Sequence, residues 1–287
     1  MDEVGAGRSY LDHLTDEDLR ILAVPLGMDL DRAGDLRGRP ATVMELLGHP
    51  GLFDRLFGRD PVGLVRVSPF LAFLVTVEQA ARELATVQFV AERSAPRQRV
   101  PVFDAPRLRD FLSDPLRRLF LAELLASFVR VASGRYRTRT ARGWHSQRYS
   151  ELDPVRLAQV AEQAPPAYQP GAYRRLGDVS LFLTGVFPDY AQLHALGPFD
   201  AVRLLRAAGL SPQDQSALVT APPIQLLEHL GQCWYRRASE LVPVTTARMA
   251  VVSQVADRFR DARRILNHIA DNYLMHLGSP WSDPSTP

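Results

Sequence analysis

The sequence contains no lysine: every one of its 34 basic residues is arginine, in a chain of 287. That removes lysine Schiff-base chemistry and the lysine-dependent phosphate loops. Cysteine is almost as scarce. The single thiol, Cys233, excludes an internal disulfide framework and any zinc site made of cysteines alone, as a reducing compartment favours. Long apolar runs are missing too. Pro69–Val77 stops at Glu78 and Leu119–Val129 contains Glu123, both short of the roughly 20 apolar residues a membrane-spanning helix requires. The chain opens Met1-Asp2-Glu3-Val4-Gly5, acidic where an export signal is basic and then apolar, so a cytoplasmic location without membrane contact is expected. Absent as well are the dinucleotide Gly-x-Gly-x-x-Gly, the Gly-x-Ser-x-Gly elbow, the His-Glu-x-x-His helix and the Glu-x-x-His pairs of carboxylate-bridged metal centres.

What is present is ample core material, 46% hydrophobic against 23% charged residues, with a formal charge of only +2. Arginine in place of lysine, beside abundant Ala, Leu, Val and Pro, matches the coding habit of a GC-rich bacterial genome. The charge is unevenly spread. Residues 1–62 hold seven arginines against twelve acidic residues, and 63–150 hold fifteen against seven. A basic middle beside an acidic start implies either internal pairing or a surface kept for an anionic partner.

Periodicity predicts an all-α fold, an irregular multi-helix bundle with one inserted β-hairpin near 134–150. Residues 1–62 read as an acidic N-terminal helical subdomain, 63–278 as the main helical domain and 279–287 as a flexible tail. Thr15 with Asp18 forms a capping-box pattern, and Ser68-Pro69 and Asp153-Pro154 are helix starts. The long helices are expected at 68–92, 115–132, 172–187, 223–241 and 246–276, with a loop at 94–106 that includes an extended run at Arg99–Phe103. In the fourth-from-last of these segments, 115–132, the inward residues are Leu116, Phe120, Leu124 and Phe128. The segment Ala172–Phe187 carries Gly177, Ser180 and Thr184 at helical spacing, a stripe that lets a neighbouring helix come close. The last helix turns Val252, Val255, Phe259, Ala262, Leu266, Ile269 and Tyr273 inward and sets Asp257 with Arg260 and Asp261 with Arg264 on a solvated face.

The hairpin is the leading functional candidate. No acidic residue lies between Glu123 and Glu151, while Arg130, Arg135, Arg137, Arg139, Arg142 and Arg148 fall inside that window. From Arg135 to Thr140 arginine alternates with Tyr136, Thr138 and Thr140, a period of two that places three arginines on one strand face. Arg142-Gly143 reads as the turn. Arginine forks with Trp144 and Tyr149 nearby suit phosphates and stacked bases. The competing reading is a solvated ribbon whose charges blunt its edges, or one neutralised by residues 1–62.

Other candidates are thinner. His229 and Cys233 stand four apart on one predicted helix but lack a third metal ligand. His268, Asp271, Asn272 and His276 share part of the last helix and could serve a metal or an acid–base pair. Asp178 sits within the most apolar helix and needs a partner, most simply Arg174 or Arg175. Leu204–Val219 resembles the start of a helix-turn-helix, but Pro222-Pro223 interrupts it and the following apolar residues read as core. No catalytic set, metal or cofactor is expected. The function expected is that of a non-enzymatic binding or scaffold protein acting through Arg135, Arg137, Arg139, Arg142, Trp144 and Arg148. The alternatives are a nucleic-acid binder using the same residues and an enzyme assembled from distant helices.

Overall fold

A computed structural model describes residues 3–24, 30–58, 67–95, 98–129, 133–140, 143–150, 152–193 and 198–274. The fold is all-α, with two short two-stranded sheets as its β content among the described residues. Two compact units form, one from Met1–Glu92, Val100–Val129 and His268–Pro287, the other from Arg93–Arg99 and Arg130–Asn267. The expected tail at 279–287 lies outside the described residues.

The first unit contains α1 (Glu3–Leu11), α2 (Asp16–Ala23), a 3-10 stretch (Leu30–Gly38), α3 (Pro40–Leu47), α4 (Gly51–Phe57) and α5 (Pro69–Thr86). Strands β1 (Val90–Ala95) and β2 (Gln98–Val102) then pair, followed by α6 (Ala105–Ser113) and α7 (Pro115–Ser127). The capping box forms as its spacing predicts: Thr15 N–H donates to Asp18 Oδ2 at 2.7 Å, and Asp18 N–H donates to Thr15 Oγ1 at 3.1 Å. Asp18 is fully buried, and its other oxygen accepts the Ser68 N–H at 2.8 Å. Ser68 in turn caps α5 by accepting from Leu71 N–H. One carboxylate thereby joins the starts of two helices 50 residues apart in the chain. α5 packs on α7, and Phe70, Leu71, Leu74 and Val77 of the first and Leu119, Phe120 and Leu124 of the second are buried. Glu78, buried on α5, is paired with Arg118 of α7 at 2.6 Å. The helix ends at Thr86 rather than near Glu92, because Val87 turns extended (φ −90°, ψ 151°) and Val90 opens a strand. β-branched Val87 and Val90 with aromatic Phe89 favour that conformation.

The second unit begins with β3 (Ser133–Thr140) and β4 (Gly143–Ser150), then α8 (Pro154–Gln163), α9 (Gln169–Val186), α10 (Pro188–Leu193), α11 (Pro198–Ala207) and α12 (Pro212–Leu218). It continues with α13 (Pro223–Glu240), α14 (Ala247–Asp257) and α15 (Phe259–Ile269) as far as Asn267; the end of α15 and the π-helical turn that follows (Ala270–Leu274) belong to the first unit. Proline opens the first turn of α8, α9, α12 and α13, where its missing N–H costs nothing. The expected single helix over 246–276 is broken at Arg258 (φ −119°, ψ 30°) into α14 and α15. Its charged face is solvated only in part: Asp257 and Arg260 are exposed, as expected, but the residues one turn on are not. Asp261, Arg263 and Arg264 are buried, Arg258 pairs with Asp261 at 2.9 Å, and Asp257 is matched by Arg236 of α13 rather than by Arg260.

Glycine fixes the close packing of this unit. A Cβ on Gly177 of α9 would overlap the Tyr235 ring of α13, and one on Gly231 of α13 would overlap the Phe259 ring and sit 3.0 Å from Ser180 Cβ. At Gly185 it would lie 2.7 Å from Leu266 Cβ of α15. Alanine normally favours a helix over glycine by about 1 kcal/mol. Here the sign reverses: Gly177→Ala and Gly231→Ala are each expected to destabilise by about 1–3 kcal/mol through overpacking. Gly171→Ala, in open space near the start of α9, is the control and should stabilise slightly. Urea midpoints of the three variants decide the matter.

Candidate functional site

The β3–β4 ribbon forms where alternation places it, and its register goes further than spacing alone. Arg135 is opposite Arg148, Arg137 opposite Ser146, Arg139 opposite Trp144 and Thr140 opposite Gly143. Directly opposed residues of an antiparallel pair belong to the same face, and the face changes with every residue. Arg135, Arg137, Arg139, Arg148 and Trp144 therefore occupy positions of one face, together with Ser133, Ser146 and Ser150. The other face takes Tyr136, Thr138, His145, Gln147 and Tyr149. Arg142 lies outside the described residues. Five of the six residues singled out in the sequence thus fall into one register set, and neither face holds an acidic position.

Of the remaining candidates, Asp178 and His268 are held by structural partners. Asp178 of α9 accepts a hydrogen bond from the Tyr235 hydroxyl at 2.8 Å, with Arg174 Nε 3.9 Å from its second oxygen. Burial pushes its carboxyl above the usual range, opposed by Arg174, Tyr235 and Arg175. Tyr235 was not visible as a partner in sequence, since it comes from α13, 57 residues away. Cys233 is half-buried, and burial pushes its thiol up, away from a reactive thiolate. His229, one turn earlier, has a buried Nε2 with no hydrogen-bond partner.

His268 faces α5, where its Nε2 is 3.5 Å from Glu83 Oε2. Asn272 Nδ2, 3.0 Å from His268 Nδ1, donates to it and leaves the ring proton on Nε2. Burial holds this imidazole below the ordinary histidine range, against the opposing pull of Glu83 and Asp271. Burial also pushes the Tyr273 phenol up, helped by the same Glu83 carboxylate. Both nitrogens of His268 are engaged, and among the described residues no three His, Cys, Asp or Glu side chains converge as a metal site. His276 lies outside the described residues. α13, which follows the helix-turn-helix-like segment, buries Leu226, Leu227, Leu230 and Trp234 and so belongs to the core. Among the described residues no helix is long and apolar enough to cross a membrane.

No protein-family model matches the sequence, and no curated protein or solved structure is significantly similar to it.

Asp178 yields a pH prediction with a definite sign. Its folded carboxyl titrates above the ordinary 3.8, so the folded chain keeps a proton that the unfolded chain has already lost. Stability contributed by this group is present below about 3.8 and is lost as pH rises through the folded value. Asp178→Asn should remove that share of the pH dependence while keeping an oxygen for Tyr235. Asp178→Ala should cost about 1–3 kcal/mol, because the Tyr235 hydroxyl is then buried without an acceptor. Chemical denaturation across pH 4 to 8 reads both effects.

Proposed function

We propose that this is a non-enzymatic cytoplasmic binding protein that recognises an anionic partner through the basic face of the β3–β4 ribbon. The observation that carries the reading is the register, which sets Arg135 directly across from Arg148 on the face that also takes Arg137 and Arg139. Like charges opposed on neighbouring strands destabilise a sheet by several tenths of a kcal/mol, and an isolated two-stranded hairpin is marginal in water to begin with. An arrangement that weakens its own element gains when a polyanion neutralises it. The acidic-free sequence from 124 to 150 provides no local counter-charge along the chain. Arginine strengthens the case, since its planar fork holds carboxylate or phosphate with two parallel hydrogen bonds.

The experiment is calorimetric titration of the full chain with a heparin oligosaccharide as a generic polyanion. Wild type should bind with an affinity that falls steeply with salt. The triple variant Arg135→Gln, Arg137→Gln, Arg139→Gln should bind at least tenfold more weakly, with unchanged helical circular dichroism. Equal binding by the variant, or none by wild type, contradicts the proposal.

A further inference from the structure

The register also narrows the class of anion. Resting on the reading of the ribbon as the binding surface, we propose that its partner is a single-stranded nucleic acid, whose phosphates are held by the arginine file and one of whose bases stacks at Trp144.

Three observations converge. Arg135, Arg137 and Arg139 recur at every second residue of β3, about 6–7 Å apart along the strand. Arginine at every second position of a strand fits charge repeated along an extended chain better than one compact anion. The file then ends beside an aromatic position, because Arg139 is opposite Trp144. An acidic polypeptide supplies repeated carboxylates but has no use for an indole at the end of the row, whereas every unpaired base offers a π-face to stack on it. The third observation concerns what else shares the face. Beyond arginine and tryptophan its positions are Ser133, Ser146 and Ser150, short hydroxyls that hydrogen-bond to phosphate without discriminating among bases.

A duplex fits less well. A two-stranded ribbon can enter the major groove, but paired bases present only their edges there. The Asn and Gln that read adenine edges are absent from this face, and Gln147 stands at a position of the other. Guanidinium planes stack on exposed bases as well as gripping phosphates. The expected mode is therefore tolerant of sequence and demanding of single-strandedness.

Fluorescence anisotropy of the full chain tests this with a labelled oligo-dT of about 15 nucleotides, a duplex of the same length and a poly-glutamate peptide of equal charge. The oligo-dT should bind at least tenfold more tightly than either comparator. With four phosphates engaged, its affinity should drop roughly fiftyfold between 50 and 200 mM salt. Trp144→Ala should weaken it about tenfold or more, and Trp144→Phe should keep most of the binding where Trp144→Leu does not, which separates stacking from bulk. Should the peptide or the duplex bind as tightly as oligo-dT, or Trp144→Leu equal wild type, the single-strand assignment is overturned while the anion-binding surface stands. Should none of the three probes bind, both fall.

Discussion

Where α9 meets α13 and α15, glycines take the places at which side chains would hold the helices apart. Gly177 accepts the Tyr235 ring, Gly231 accepts the Phe259 ring, and Gly185 accepts Leu266. These are reciprocal contacts: each glycine lies on one helix of the group and the large side chain it admits lies on another. Backbones brought that near bury Leu176, Val179, Leu183, Leu230 and Trp234 almost completely. Each buried aliphatic side chain of this kind contributes about 1.5–3 kcal/mol relative to exposure, against the conformational entropy that ordering consumes. The second unit depends on this seam because no disulfide supplements it.

Close approach then determines which polar groups are tolerated inside. Asp178 lies one residue beyond Gly177, and the Tyr235 ring that fills the glycine's space delivers its hydroxyl to that carboxylate. At the other end of α9, Asn267 donates to the carbonyls of Thr184 and Gly185, groups that a helix terminus leaves without intrahelical donors. Arg263 donates to Asn267 Oδ1 at 3.2 Å and pairs with Glu228 of α13 at 3.2 Å. Three helices are thus connected, α15 to α9 by buried hydrogen bonds and α15 to α13 by an ion pair. A buried ion pair adds little net stability over apolar packing, but loss of either partner is costly. Its effect here is to fix which residues face one another.

Much of this was legible in the sequence, for reasons that are local. Thr15 with Asp18, Ser68-Pro69 and Asp153-Pro154 announce helix starts because a cap and a first-turn proline act within three residues, and all three form. The Gly177, Ser180 and Thr184 stripe signalled a close helix neighbour, and α13 is that neighbour. Alternating arginine and threonine disclosed the ribbon. Long-range partners were not legible. The Asp18 link to Ser68, the Glu83 link to His268 and the Tyr235 link to Asp178 depend on tertiary placement that no spacing encodes. The burial of Asp261 and Arg264 defeated the reading of a solvated face, since a polar stripe looks the same whether it meets water or buried partners. Trp144 was grouped with the arginines from sequence, but its position on their face follows only from the register.

The structure therefore divides its labour between a tightly seated helical seam and a charged ribbon that is weak in isolation. Hydrogen exchange followed residue by residue measures that division directly. The account predicts that amides of α9 and α13 exchange only through global opening, while those of β3 and β4 exchange orders of magnitude faster in the absence of any polyanion. Ribbon amides as protected as those of α9, or α9 amides no slower than those of the ribbon, would contradict it.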